Sequence, residues 1–175
     1  WFYEITVASG RFEDLRKTFD LLGDGDIRIQ AILIAFCFGG LLEALAGFGA
    51  PVAITATMIM ALGVKPLRAA IVVLIANTAP VAFGAVGIPV TTAGEVAGRS
   101  AEQTHDIAAL ISLQVLIIAA VVPFLIAFIL DGVRGVKETA PAAAVIGVSF
   151  ALAQWLAATF FAYPVSYTHL RAHET

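Results

Sequence analysis

The sequence predicts an all-α, polytopic membrane protein whose transmembrane helices are broken or re-entrant. Three observations carry that expectation. Hydrophobic residues make up 60% of the chain and charged residues 13%, with a mean hydropathy of +0.94; a soluble domain has about 45–50% and about 25%. The apolar residues gather into runs long enough to cross a hydrocarbon core of about 30 Å. Clusters of glycine and proline interrupt two of these runs, at residues 47–51 and 77–89, where an uninterrupted helix would be expected.

Residues 1–26 are mixed in character. Leu15, Phe19 and Leu22 recur at helical spacing with charges between them, which predicts an amphipathic helix or connecting segment at the membrane surface. The following Gly-Asp-Gly-Asp, residues 23–26, lacks the ligand pattern of a calcium loop and reads as a turn. Residues 27–63 are almost continuously apolar, too long for one span of about 20 residues and slightly short for two. The run breaks in its middle at Gly-Phe-Gly-Ala-Pro. Residues 67–89 form the next apolar stretch, interrupted at Asn-Thr-Ala-Pro. Residues 94–106 read as a polar loop, 107–130 as a clean span kinked at Pro123, 131–141 as a second polar loop, and 142–163 as a last span ending in interfacial aromatics. Residues 27–164 thus form a transmembrane unit of four or five segments. Residues 165–175, VSYTHLRAHET, depart sharply in composition and resemble a translated sequencing-adaptor tail, so they are set apart as non-native. The chain starts at Trp1 and reads as a piece of something longer.

Charge placement suggests a topology. Without Arg171, nine Lys and Arg remain: Arg11, Arg16, Lys17 and Arg28; Lys65 and Arg68; Arg134 and Lys137; and Arg99. If residues 27–63 cross and return, all but Arg99 share one side, which the positive-inside tendency makes the cytoplasm. The net charge of −3 and the lack of a basic block give no support to nucleic-acid binding. One cysteine, Cys37, excludes a disulfide framework or zinc pattern and reads as a small buried hydrophobe.

The breaks point to function. Unpaired backbone groups cost several kcal/mol each in hydrocarbon, so a broken helix persists only where protein or water covers it. Paired Gly/Pro interruptions are a pointer to a transporter binding site. The two breaks share vocabulary: Ala-Pro-Val-Ala at 50–53 and 79–82, Phe-Gly-Ala at 48–50 and 83–85. A half-helix N-terminus offers free N–H groups and a positive dipole end to an anion. Beyond Arg28 and Arg68 at their first residues, the spans contain no Lys, Arg or His, so a carboxylate would be held by backbone N–H groups and neutral donors. The candidate substrate-binding residues are Gly47, Phe48, Gly49, Asn77, Thr78, Gly84 and Gly87, with Thr55, Thr57, Thr91 and Thr92 as further hydroxyl donors. Glu43 is the one acid inside an apolar run, and an intramembrane acid is a functional candidate by default, here as the proton carrier; the competing reading is a helix cap at the membrane surface. Gln114 and Gln154 sit singly in apolar spans, where interhelical hydrogen bonding is their expected role and lining of the site the alternative. No metal site and no cofactor is expected.

Three stretches, FGGLLEALAGFGAPVAI, NTAPVAFGAVGIPV and DGVRGVKETAPA, resemble the signature blocks of the L-lactate permease family, and ASGRFEDLRKTF and GVSFALAQWLAATF fit its flanking regions. The resemblance covers nearly all of residues 1–164 in order. It implies an internal fragment of a longer, multi-pass bacterial inner-membrane protein that takes up lactate, and often glycolate, by proton symport, with a small 2-hydroxy monocarboxylate and the lipid bilayer as its partners. A transporter of another organic anion, such as a dicarboxylate with sodium, keeps the same architecture and stands as the alternative. An intramembrane enzyme would need a nucleophile–base pair or paired acids at membrane depth; with a single acid and no histidine or lysine in the spans, none is expected.

Overall fold

The computed structural model describes residues 11–47 and 49–160, except the side chains at 11–13, 15 and 16. Phe48, residues 1–10 and residues 161–175, with the aromatics expected at Phe161 and Tyr163, lie outside the described residues. Among the described residues every regular element is helical.

Helix α1, Arg11–Leu22, is helical as the spacing predicts, but only one of its described apolar positions packs inward. Phe19 is buried with its ring 5.7 Å from that of Phe38, whereas Leu22 faces outward. The turn at residues 23–26 ends in Asp26, whose carboxylate accepts from the Arg28 N–H at 2.8 Å and so caps helix α2, Ile27–Leu45. Nineteen residues make α2 about 28 Å long, enough for one crossing. Its central turn, Leu33–Phe38, is π-helical, a local widening that often accompanies functional sites.

The Gly/Pro breaks produce half-length helices, as the sequence requires. Helix α3, Ala50–Ala61, and helix α4, Pro66–Asn77, each have 12 residues, about 18 Å and too short to span alone. A 3-10 turn, Val81–Phe83, leads into helix α5, Gly84–Val96. The axis bends by 61° between α4 and the segment Val81–Val96. Residues Ala85, Val86 and Gly87 are left-handed, so regular helix in α5 starts at Ile88.

The expected loop at 94–106 is far shorter than its polarity suggested. Helix α5 continues to Val96 and helix α6, Ala101–Phe160, begins five residues later. The cause is a capping box: Ser100 Oγ accepts from the Gln103 N–H, and Gln103 Oε1 accepts from the Ser100 N–H. The expected loop at 131–141 is also helix, with non-helical backbone only at Asp131 and Gly132. Its polar residues are satisfied on the helix or across it: Thr139 donates to the Gly135 carbonyl, Arg134 pairs with Glu138 one turn on, and Arg28 of α2 reaches both Asp131 and Glu138. Backbone dihedrals stay helical through Pro123, so the break falls at Gly132 (φ +61°) and not at the proline.

The two arms of α6 fold back on each other through small residues. A Cβ added at Gly135 would lie 2.6 Å from the Ala127 carbonyl oxygen, and one at Gly147 would lie 2.7 Å from that of Ala120. Close backbone approach through Gly and Ala is how helices associate where apolar burial gives no drive. The arms correspond to the two expected spans, lengthened by the helical ends. The core lies between α2, α3, α4 and α6, with Ile32, Phe36, Ile59, Val72, Val73 and Ile126 fully buried.

The start of α2, the α3–α4 turn and the α6 corner meet in one groove of about 550 Å³, lined by Arg28, Lys65, Arg68, Leu130 and Asp131 among others. Arg68 also donates to the Leu130 carbonyl. Arg28, Lys65, Arg68 and the α6 corner at Asp131 therefore lie on one side of the described helices.

Candidate functional site

The two breaks, separated by more than thirty residues in sequence, touch. Glu43 sits in the last turn of α2, 2% exposed. Its carboxylate packs on the backbone of Gly84, where an added Cβ would stand 2.5 Å from Oε1. Gly47, two residues past the end of α2, packs on Ala85, where a Cβ at 47 would meet the Ala85 Cβ at 2.8 Å and its amide nitrogen at 2.9 Å. A side chain larger than hydrogen at 47 would meet the Ala85 backbone and wedge the breaks apart, whereas one at 84 would displace the Glu43 carboxyl group. Among the described residues, Glu43 Oε2 has no hydrogen-bond partner. A buried polar atom without a hydrogen-bond partner is costly and uncommon in a folded protein, which singles this position out.

Each break ends in a helix start of the same local form. Gly49 has φ +82° and precedes Ala50-Pro51-Val52; Gly87 has φ +82° and precedes Ile88-Pro89-Val90. A left-handed glycine turns the chain, and proline in the first turn costs no hydrogen bond there. No side chain caps α3, and its first N–H, that of Ala50, donates to the Gly47 carbonyl at 3.3 Å. The signal for this pairing, Gly-x-Pro-Val at 49–52 and 87–90, was present in the sequence and was missed; the Ala-Pro-Val-Ala match pairs a helix start with a turn instead. Val86 (φ +59°) is a β-branched residue in left-handed conformation, a strained arrangement of the kind that collects at functional sites.

The other candidates are distributed more unevenly. Asn77 is half-buried at the C-terminal end of α4, and Thr78 is the exposed cap that follows it. Both stand at the negative end of a helix dipole, not at an N-terminus. Phe48 lies outside the described residues. The threonine hydroxyls are turned to their own helices: Thr55 donates to Pro51, Thr57 to Ile54, Thr78 to Ile75 and Thr91 to Ile88. A hydroxyl in an apolar setting takes the nearest i−3 or i−4 carbonyl, so these groups are committed as donors. Gln114 is exposed rather than bridging helices.

Beside this junction runs a cavity of about 320 Å³ lined by Cys37, Gly40, Leu41 and Ala44 of α2, Pro80 and Phe83 of the second break, and Phe150, Ala153 and Gln154 of α6. Cys37 is half-buried and faces this space.

An all-α chain with span-length apolar helices, two broken half-length helices and a buried acid where the breaks meet defines a class: a polytopic membrane protein of the construction used by secondary transporters. Within that class the chain belongs to the L-lactate permease family, whose sequence model matches residues 1–166. It is 49% identical over 158 residues to the glycolate permease GlcA of Escherichia coli strain K12 and 48% identical over the same length to the L-lactate permease of that strain, each match covering 90% of this chain and 28% of the relative. It is 46% identical over 158 residues to the L-lactate permease of Bacillus subtilis strain 168, covering 90% of this chain and 27% of that protein. The chain thus spans somewhat over a quarter of the length of these relatives. No solved structure matches it.

Proposed function

We propose that this chain is the part of a bacterial inner-membrane permease that couples uptake of a small 2-hydroxy monocarboxylate, lactate or glycolate, to entry of a proton. The observation that carries the reading is Glu43, 98% buried by the complement of its 2% exposure, with one carboxylate oxygen unpartnered at the contact between two broken helices. Relatives named for lactate and glycolate supply the substrate class. Protonated, Glu43 is neutral and offers an O–H donor at its contact with Gly84 of the second break. Deprotonated, it is a like charge facing the substrate carboxylate. Proton and anion therefore favour each other's presence and cross together, as coupling requires. The positive dipole end of α3, which no side chain caps, holds the carboxylate without a buried cation, and the cytoplasmic side is the one bearing Arg28, Lys65 and Arg68.

The test uses a full-length permease carrying this segment, reconstituted in proteoliposomes with labelled L-lactate. Wild type is expected to accelerate uptake when an inward proton gradient is imposed. Glu43→Gln, which stays neutral, is expected to exchange lactate yet no longer respond to the gradient. Full gradient-driven uptake by Glu43→Gln would remove Glu43 from the coupling role.

A further inference from the structure

Gln154 has no part in the reading above, yet the fold carries it to the same place. It lies on the second arm of α6, one turn beyond Phe150, and both line the 320 Å³ cavity. The opposite wall is a single stripe of α2, Cys37, Gly40, Leu41 and Ala44, at spacings of three and four residues. Gly40 stands one turn before Glu43, and Phe83 directly precedes Gly84, whose backbone contacts the Glu43 carboxylate. The cavity is thus built from the residues that flank Glu43 and Gly84 in the chain, on the neighbouring face of α2. Its lining is apolar except for the Gln154 amide and the weakly polar thiol of Cys37.

The shape is held by specific contacts. A Cβ at Gly40 would meet the Phe150 ring at 3.1 Å, and that ring packs on Phe36 with centroids 4.7 Å apart. Phe150 is fixed, and the next turn of its helix presents Gln154. A small-molecule site is commonly apolar with a few placed polar groups that set orientation. A 2-hydroxy acid has three parts to place: a carboxylate, a hydroxyl that both donates and accepts, and a short hydrocarbon remainder. A primary amide also donates and accepts.

We infer that this cavity receives the substrate of the proposed symport and that Gln154 is the specificity-determining residue that reads its 2-hydroxyl group, with Phe83 and Phe150 against the hydrocarbon end. The inference rests on the placement of substrate beside Glu43. A site that hydrogen-bonds a substrate hydroxyl discriminates strongly against the analogue lacking it, since the protein's polar group is then left unpaired.

The experiment compares L-lactate with propanoate, which lacks only the hydroxyl, as competitors of labelled lactate uptake in a full-length permease carrying this segment. Gln154→Leu is expected to weaken competition by lactate about tenfold or more while leaving propanoate unchanged, so that the preference between them collapses. An unaltered preference, or equal weakening of both acids, would overturn the assignment. Gln154→Leu is expected to keep its response to the proton gradient, whereas Glu43→Gln loses it, so failure of the coupling reading and failure of this one register in different measurements. Should Gln154→Leu not reach the membrane, Ala153→Cys in a cysteine-free background gives a second readout. Maleimide labelling at position 153 is expected to slow in the presence of lactate and not of propanoate; equal rates in both would refute the site.

Discussion

Replacing Gly84 by alanine isolates the contact between the two breaks. Gly84 has φ −61° and ψ 158°, a backbone conformation that alanine adopts freely, so the substitution acts through space alone. Its Cβ would stand 2.5 Å from Glu43 Oε1 and 3.3 Å from both Cδ and Cγ. An ordinary contact lies near 3.5 Å, so the carboxyl group must retreat by about 1 Å. Because the obstructed atoms end a flexible side chain, the retreat costs about 1 kcal/mol of rotamer strain, and the protein still folds. A displacement of that size at a reacting group can nonetheless cost about 100-fold in rate. We expect Gly84→Ala to reach the membrane at wild-type level, to melt within a few degrees of wild type, and to lose roughly 10- to 100-fold of gradient-driven lactate uptake. Glu43→Asp withdraws the carboxyl by one methylene, so the double variant Gly84→Ala/Glu43→Asp should exceed Gly84→Ala in proteoliposome uptake. Wild-type uptake by Gly84→Ala, or a double variant no better than either single change, would refute the argument that this contact positions the acid.

Two further outcomes follow from the packing and from the polar end of the bundle. Gly147→Val places a branched side chain where the Ala120 carbonyl oxygen would be 2.7 Å from its Cβ; it should wedge the α6 hairpin and lower stability by about 1–3 kcal/mol, read as a fall in Tm in detergent. At the start of α2, the hydrogen bond from Arg28 holds the Asp26 carboxyl below its ordinary value of 3.8, with burial opposing. A depressed carboxyl pKa stabilises the fold above the unfolded value and loses that contribution as pH falls through the folded one. The Tm advantage of wild type over Asp26→Asn should therefore be full at neutral pH and vanish progressively below about pH 4.

Much of the architecture was legible because its causes are local. Glycine and proline at 47–51 and 77–89 cannot continue a helix, and the structure breaks there. The loops at 94–106 and 131–141 were misread for the opposite reason. Polarity was taken for absence of helix, but the reciprocal Ser100–Gln103 bonds and the Arg28 pairs with Asp131 and Glu138 satisfy the polar groups on helices. The first of these was written in the local spacing; the second joins residues more than a hundred apart and no window of sequence contains it.

The sequence by itself determined the solvent, the helical class, the places where helices stop and the single acid among apolar neighbours, since each depends on composition or on backbone chemistry within a few residues. Only the tertiary structure decided that Glu43 faces Gly84, that Gly47 meets Ala85, that the threonine hydroxyls turn back to their own carbonyls, and that Gln154 shares a cavity with Gly40 and Phe83. Those facts depend on how α2, the α4–α5 break and the α6 hairpin pack, and the packing is set by which small residues let backbones approach, a property of surfaces in three dimensions.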